Sequence, residues 1–263
     1  MAARSTPVKD IGRGLVQGME SLGEGAMVLW DALRGIFSGN VRARSRVTEQ
    51  MALVGIESLP IVLITVLFGG MVLGLHTAKQ FVLFGAGQFV GSLVALSMAR
   101  ELAPTLTGIV VAARIGSAFA AELGSMKITN QIDAMRALAV NPVRYLVTPR
   151  LVATMIMLPV LTVFANVTGM AGGMLVAINA GVSSQSFINS ARQFLEAYDM
   201  AGGLLKTMVF GVIITITACT VGLRTEGGAS GVGRATTSAV VWSIILLYGS
   251  NLLLSWMLYS FRP

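Results

Sequence analysis

The chain has 263 residues, of which 54% are hydrophobic and only 12% are charged, and its formal net charge is +7. Soluble domains carry roughly 25% charged residues. This composition therefore excludes an ordinary soluble protein and predicts an all-α, polytopic membrane protein. The basic residues are not gathered on one soluble face, which argues against a nucleic-acid partner. They are expected in cytoplasmic loops and against anionic lipid.

Residues 11–37 predict an amphipathic helix rather than a span. Apolar residues recur there at steps of three or four, with charged residues between them. Arg42, Arg44 and Arg46 follow, and an apolar stripe beside a basic cluster favours a helix in the cytoplasmic interface of the membrane. Packing on a partner subunit is the alternative. We assign residues 1–50 to a cytoplasmic N-terminal region and residues 51–263 to a transmembrane domain.

Five long apolar blocks predict about five membrane spans. They cover about residues 51–75, 81–121, 151–180, 204–223 and 237–260. Near the far end of the third span, Gly169, Gly172 and Gly173 are small residues that would allow close helix approach. The segments between spans are a partly helical, external stretch at 181–203 and a glycine-rich loop at 224–235, which we interpret as a flexible turn.

The second block is too long for one straight crossing. As a single helix its 41 residues would reach about 60 Å, twice the ~30 Å hydrocarbon core. It is either two spans or one net crossing with a break near residues 100–104. Residues 1–50 carry seven Lys or Arg and residues 122–150 carry four. Both stretches are cytoplasmic only if the block makes one net crossing, so we choose that topology, with an external C-terminus.

Residues 122–148 contain a second amphipathic helix, which Asn141-Pro142 is expected to end because the residue before proline avoids helical geometry. A short helix in a cytoplasmic loop could insert into a groove on a soluble partner. An ordinary helical loop is the alternative.

Arg100 and Glu101 are charged residues inside apolar sequence. A charge at the bilayer centre costs roughly 2.5–3.5 kcal/mol on insertion scales, so such residues usually face a cavity or a partner. They could contact a lipid head group or gate passage. The alternatives are a structural ion pair with Arg114, Arg234 or Glu226, or a position near the membrane interface.

The sequence contains no recognisable machinery for catalysis. No glycine-rich loop is followed by Gly-Lys-Ser/Thr, as a phosphate-binding loop requires. One His and one Cys cannot by themselves make a metal site, and no nucleophile–base pair is evident. We predict no catalytic residue, no metal and no enzyme activity for this chain.

Several short motifs together resemble one known family, the MlaE/YrbE permeases of MCE-type ABC transporters. The resemblance runs in a consistent order over roughly residues 10–260. It rests on the segments Met71–Leu75, Arg100–Pro104, Arg114–Ala118, Ala121–Met126 with Thr129 and Gln131, Pro149-Arg150, Leu158-Pro159 and Gly231–Thr237.

The resemblance implies the permease subunit of a transporter for phospholipid or a similar hydrophobic lipid. Two copies would form the membrane core, and two separate ABC ATPase subunits would bind on the cytoplasmic side and hold the ATP and Mg²⁺, so that this chain binds no cofactor. An MCE-domain lipid-binding protein would dock outside. The expected location is the bacterial cytoplasmic (inner) membrane rather than the plastid inner envelope.

The resemblance also implies two sets of site residues. The loop helix would be the coupling helix that meets the ATPase, and Arg100 and Glu101 would lie towards a lipid pocket between the two copies. Coupling candidates are Glu122, Gly124, Met126, Thr129, Gln131 and Asp133; pocket candidates are Arg100, Glu101, Arg114 and Arg234. The motif at residues 231–237 receives no role.

Two other functions remain open from the residues. The first is an ion-coupled secondary transporter that uses Glu101 as a proton site; inverted repeats would favour it, and we find no convincing internal repeat. The second is a membrane scaffold whose basic N-terminal helix sequesters anionic lipid.

Overall fold

The structure, a computed structural model, describes residues 23–36 and 41–260, and the side chains of residues 41–44 are not among what it describes. Five helical runs are long and apolar enough to cross a membrane. This confirms the predicted all-α, polytopic class. The five runs are Ser45–Leu83, Gly87–Ile128, Val143–Asn179, Ala197–Leu223 and Gly228–Tyr259.

Eleven α-helices, four π-helical segments and one 3-10 helix (Gly87–Phe89) make up these runs and their connections in the described residues. The α-helices are α1 (23–36), α2 (Val41–Met51), α3 (Leu59–Leu83), α4 (Val90–Ser97), α5 (Ala103–Val111), α6 (Ser117–Ile128), α7 (Gln131–Ala137), α8 (Thr148–Asn179), α9 (Ser184–Phe194), α10 (Ala197–Leu223) and α11 (Gly228–Tyr259). The π segments are π1 (Ala52–Ile56), π2 (Met98–Leu102), π3 (Ala112–Gly116) and π4 (Val143–Val147).

The expected break near residues 100–104 is wrong. The chain stays helical from Gly87 to Ile128, and π2 lies where the break was expected. Pro104 lies in the first turn of α5, directly after π2, and the helical run continues through it although proline has no amide hydrogen. The second block is therefore one helical run.

The glycine-rich loop is also shorter than expected. Only residues 224–227 connect α10 to α11, and residues 228–235 form the first turns of α11. Gly227 adopts a left-handed conformation, with φ of 86°, that starts the new helix. Gly231 packs so closely on the Glu226 carbonyl that a Cβ would collide with it. Gly227 and Gly231 therefore allow a tight connection that leads directly into α11, and the segment is not a flexible turn.

Close glycine contacts hold α3 against α8. Gly70 lies against the backbone of Gly169, and Gly74 lies against that of Gly173. Small residues let two backbones approach without a side chain between them. The close approach anticipated for the third span is therefore made with α3.

The bundle has two ends, which we name after the short helix at each. The α7 end carries α1, α7 and the α10–α11 connection; the α9 end carries α9 and the α3–α4 turn. α1 packs across the α7 end, where Ala32 is fully buried and its carbonyl accepts a hydrogen bond of 3.1 Å from Thr148 Oγ1. Met27 and Trp30 remain exposed on α1. The predicted amphipathic helix is thus helical in its described part; residues 11–22 and 37 lie outside the described residues.

An ion pair between Glu24 and Arg224 ties α1 to the end of α10. The hydrogen bond from Arg224 holds the pKa of Glu24 below its usual value of 4.5. Because the folded pKa is lowered, the stabilisation is present above about pH 4.5 and is lost as the pH falls through the folded value. We expect amide exchange in residues 23–36, corrected for intrinsic rates, to accelerate below pH 4.5 in the native chain. In Glu24→Gln this pH step should be absent, and an equal step would contradict the assignment.

Candidate functional site

Seven polar side chains from three helical runs meet inside the half of the bundle nearer the α9 end, and we call them the polar cluster. Two come from π2, two from α10 and three from α11. They are Arg100, Glu101, Asp199, Lys206, Asn251, Ser255 and Tyr259.

Lys206 is the centre of the polar cluster. Its side chain is 0% exposed, and Nζ donates to Glu101 Oε1 and Ser255 Oγ at 2.7 Å each and to the Arg100 carbonyl at 2.8 Å. The other Glu101 oxygen accepts from Asn251 Nδ2 at 2.8 Å. All three donors of the ammonium are used, which is what a buried cation requires.

Arg100 makes a second ion pair in the polar cluster. Its Nε and Nη2 both lie 2.8 Å from Asp199 Oδ1, and the Asp199 side chain is only 1% exposed. Asp199 Oδ2 accepts from the Glu196 amide at 3.1 Å, as part of the capping box that starts α10. The guanidinium also lies 4.7 Å from the centre of the Tyr259 ring, a cation–π contact.

The ion-pair partners suggested by the sequence for Arg100 and Glu101 are therefore wrong. Neither Arg114, Arg234 nor Glu226 pairs with them; Asp199 and Lys206 do. From the sequence, Lys206 lies within the fourth predicted span, 204–223, and no partner was predicted for it. Two signals pointed to the cluster: a lysine inside the apolar run of α10, and polar residues at 251, 255 and 259, which share one face of α11.

Arg114 and Arg234 lie outside the polar cluster. Arg114, in π3, donates to Glu57 Oε2 and Ser58 Oγ at 2.8 Å each and to the Leu53 carbonyl at 3.2 Å. Arg234 is exposed in the first turns of α11, near Gly227. The four pocket candidates consequently do not converge on one site within this chain.

An open groove of about 290 Å³ lies between α6 and α11. Its lining is formed by Ser117, Thr236, Thr237, Val240 and Val241. Two of these residues, Thr236 and Thr237, belong to the 231–237 motif, for which no role was predicted. The hydroxyl of Ser117 is turned onto the carbonyls of Ala113 and Arg114, at 2.5 and 3.0 Å.

The α6–α7 segment projects at the α7 end and is tied into the bundle. Glu122, on α6, accepts at 2.7 Å from Arg150, whose side chain is 3% exposed and lies over the Phe119 ring. Gly124 lies against Thr225, where a Cβ would come within 2.9 Å of Oγ1. Met126 packs on the hydrophobic core. These contacts make α6 a rigid continuation of its span.

A left-handed residue separates α6 from α7. Asn130 has φ of 58° and its carbonyl accepts the Ala134 amide, so it ends α6 and begins α7. Thr129 Oγ1 bonds the Ser125 carbonyl at 2.8 Å. Asp133 then accepts from Lys127 at 3.0 Å and from Arg136 at 3.3 Å. Gln131 is exposed at the start of α7.

α7 ends before Asn141-Pro142, contrary to the sequence prediction. It ends at Ala137, because Ala139 turns left-handed with φ of 57° and closes a Schellman motif. In that motif the amides of Ala139 and Val140 bond the carbonyls of Arg136 and Met135 at 3.0 and 2.9 Å. Ile132, within α7, is buried, whereas Leu138, directly after α7, is 77% exposed.

The described residues thus define a multi-pass, all-α membrane protein with a charged cluster inside its spans and a braced helical projection at one end. No three His, Cys, Asp or Glu side chains gather in the described part to hold a metal ion. The chain belongs to the family described as Permease MlaE, whose model matches residues 47–257.

Named relatives support this membership. A probable ABC transporter permease protein of Synechocystis sp. is 45% identical over 226 residues, 86% of each chain. One of Rickettsia typhi is 40% identical over 251 residues, 95% of this chain and 96% of the relative. The chloroplastic protein TRIGALACTOSYLDIACYLGLYCEROL 1 of Arabidopsis thaliana is 39% identical over 221 residues, 84% of this chain and 63% of that protein. The chain is therefore an ABC transporter permease, a class that works with ATPase subunits.

Proposed function

We propose that the chain is the membrane subunit of an ABC transporter that moves phospholipid or a similar hydrophobic lipid across or out of the membrane. Two copies form the core, two separate ATPase subunits hold ATP and Mg²⁺, and an MCE-domain protein exchanges lipid at the opposite side. The α7 end faces the cytoplasm in this proposal, because residues 1–50 and 122–150 are rich in Lys and Arg. The membrane in this proposal is the bacterial cytoplasmic membrane rather than the plastid inner envelope, although the Arabidopsis relative is named as chloroplastic.

The braced α6–α7 segment is the observation that carries the proposal. α7 presents Gln131 and Arg136 to the exterior, and Leu138, directly after α7, is exposed as well. Glu122 fixes α6 to the buried Arg150 of α8. A projection that is exposed on one side and rigidly joined to two spans can pass the motion of a bound ATPase to the bundle. We therefore assign the segment the coupling role.

The lipid substrate is supported by a relative and by chemistry. The Arabidopsis relative is named for trigalactosyldiacylglycerol, a lipid. Lipid tails need an apolar cavity and a head group needs a few polar contacts. Two copies related by a twofold axis supply such a cavity by symmetry. Arg100 and Glu101, 33% and 42% exposed, are the parts of the polar cluster that a lipid head group could reach.

No observation specifically favours the ion-coupled alternative. Both oxygens of Glu101 are already engaged, by the Lys206 ammonium, the Ser255 hydroxyl and the Asn251 amide. A carboxylate held by these donors is a fixed partner of a buried cation, whereas a transported proton needs an acceptor that can release its partners.

Leu138→Asp tests the coupling assignment. Leu138 is 77% exposed, so the substitution should leave the chain folded, yet a charge in an apolar groove should reduce ATPase co-purification at least tenfold. Leu83→Asp is the matched control, since Leu83 is 84% exposed at the α9 end. It should leave co-purification unchanged.

The readout is native mass spectrometry of the gently extracted complex, which reports copy number, ATPase and bound lipid together. Equal loss in both variants would contradict the assignment of the α7 end. A working complex without any ATPase would overturn the proposed function.

A further inference from the structure

Two of the four π segments in the described residues have the same relation to a proline. π2 ends at Leu102, two residues before Pro104, and π4 ends at Val147, two residues before Pro149. In an α-helix the amide of residue 104 would bond the Arg100 carbonyl, and that of residue 149 would bond the Tyr145 carbonyl. Proline has no amide hydrogen and crowds that carbonyl. Both carbonyls therefore lack their ordinary helical donor.

A cationic side chain from a distant part of the sequence donates to each of these two carbonyls. Lys206 Nζ lies 2.8 Å from the Arg100 oxygen, although 106 residues separate them. Arg46 Nη1 lies 3.0 Å from the Tyr145 oxygen, across 99 residues, and its guanidinium lies 3.5 Å from the centre of the Tyr145 ring. Because unsatisfied backbone groups are costly in and near lipid, such replacement donors stabilise the π register.

We propose that Lys206 and Arg46 are positioning residues that replace the amide hydrogens missing at Pro104 and Pro149, and that the two capped π segments are joints. The two joints lie at either end of residues 103–142, the stretch that contains α5, α6 and α7. A joint closed by a side chain from another helix can open without breaking a backbone hydrogen bond of its own helix. The capping of the two carbonyls is argued from the hydrogen-bond geometry alone. The motion at the joints rests on the proposed function.

The test must separate capping from charge pairing, because Lys206 also pairs with Glu101. The exchange variants at the Lys206 site therefore all carry Glu101→Gln, which removes the carboxylate and leaves the bond to the Arg100 carbonyl available. Amide exchange of the full-length chain in lipid nanodiscs is measured by mass spectrometry. Adding Lys206→Met should accelerate exchange in residues 98–103 about tenfold, the size expected for one charged hydrogen bond.

Restoring the amide hydrogen should remove the need for the cap. In Pro104→Ala with Glu101→Gln and Lys206→Met, exchange in residues 98–103 should return to within about twofold of Glu101→Gln alone. If Lys206→Met has no local effect, or if Pro104→Ala fails to rescue it, capping is overturned. A rise spread over the whole bundle would equally overturn a local role.

The Arg46 site repeats the test near the bundle surface, without a buried ammonium. Arg46→Met should accelerate exchange in residues 143–148 about tenfold, and Pro149→Ala should reverse the effect. If neither Lys206→Met nor Arg46→Met changes local exchange, the proposal that these side chains replace the missing amide hydrogens is overturned.

A separate measurement addresses the joints. Pro104→Ala alone restores the backbone donor and leaves Glu101 and Lys206 in place; it should fold and bind its ATPase, yet move fluorescent phospholipid between vesicles at least tenfold more slowly than the native chain. Equal transport would overturn the joints and leave the capping intact. If no ATPase binds the native chain, the proposed function fails while the exchange results still decide the capping.

Discussion

We expect Gly70→Ala to prevent stable folding of the bundle. A Cβ at residue 70 would collide with the carbonyl oxygen of Gly169, and the nearest atoms there are all backbone. No side chain can swing aside, so α3 and α8 would have to separate along their whole contact. Overpacking of this kind costs about 3 kcal/mol. The measurement is thermal unfolding in detergent, followed by gel filtration.

Gly249→Ala provides the matched control for this substitution. The chemical change is identical and the site is also within a span, but no atom lies within 4 Å of a Cβ built on Gly249. The control should unfold at the native temperature or slightly above it, since alanine favours helix. If Gly70→Ala were as stable as Gly249→Ala, the close packing of α3 on α8 would be contradicted.

The hydropathy of the sequence was sufficient to predict five helical runs, but not their ends. The helix that carries the first apolar block is already present at Val41, because polar residues extend a helix once its apolar part is anchored. Residues 228–235 were read as a loop because glycine lowers helix propensity in water. In the structure these glycines let the first turn of α11 pack closely against the α10–α11 connection. This is a tertiary contact, which helix propensity does not describe.

The partners of Arg100 and Glu101 could not be found from local spacing. Lys206 is 105 residues from Glu101, and Asn251 is 150 residues from it. Which of the distant polar residues meet depends on how the spans pack. Two signs were present in the sequence: a lysine among the apolar residues of α10, which must find a partner or a cavity, and the polar residues that share one face of α11.

The π segments were also beyond sequence reasoning, and for a different reason. A proline such as Pro104 or Pro149 disturbs a helix, but the disturbance can become a break, a kink or an inserted π turn. Lys206 and Arg46 supply the donors that favour the π turn, and both come from other helical runs. The same limit applies to α7, whose end is set by a left-handed alanine, a conformation that residue type does not predict.

Arg100→Met should produce the second large effect, and it separates a structural role of Arg100 from a role in binding lipid. Asp199 is 1% exposed, and the substitution removes the guanidinium that neutralises it. Loss of one partner from a buried ion pair costs about 3–5 kcal/mol, because the remaining charge stays buried. We expect the variant to unfold well below the native temperature and to assemble poorly with its ATPase.

The double variant with Arg100→Met and Asp199→Asn supplies the control. It removes both charges, and an Asn oxygen can still accept from the Glu196 amide that Asp199 now caps. Most of the lost stability should therefore return, as a double-mutant cycle would register.

If stability returns but phospholipid movement does not, Arg100 has a role in handling lipid beyond its ion pair. If both return, the guanidinium serves the fold alone, and the lipid head group must be bound elsewhere. If the single variant is as stable as the native chain, the buried pair with Asp199 is contradicted.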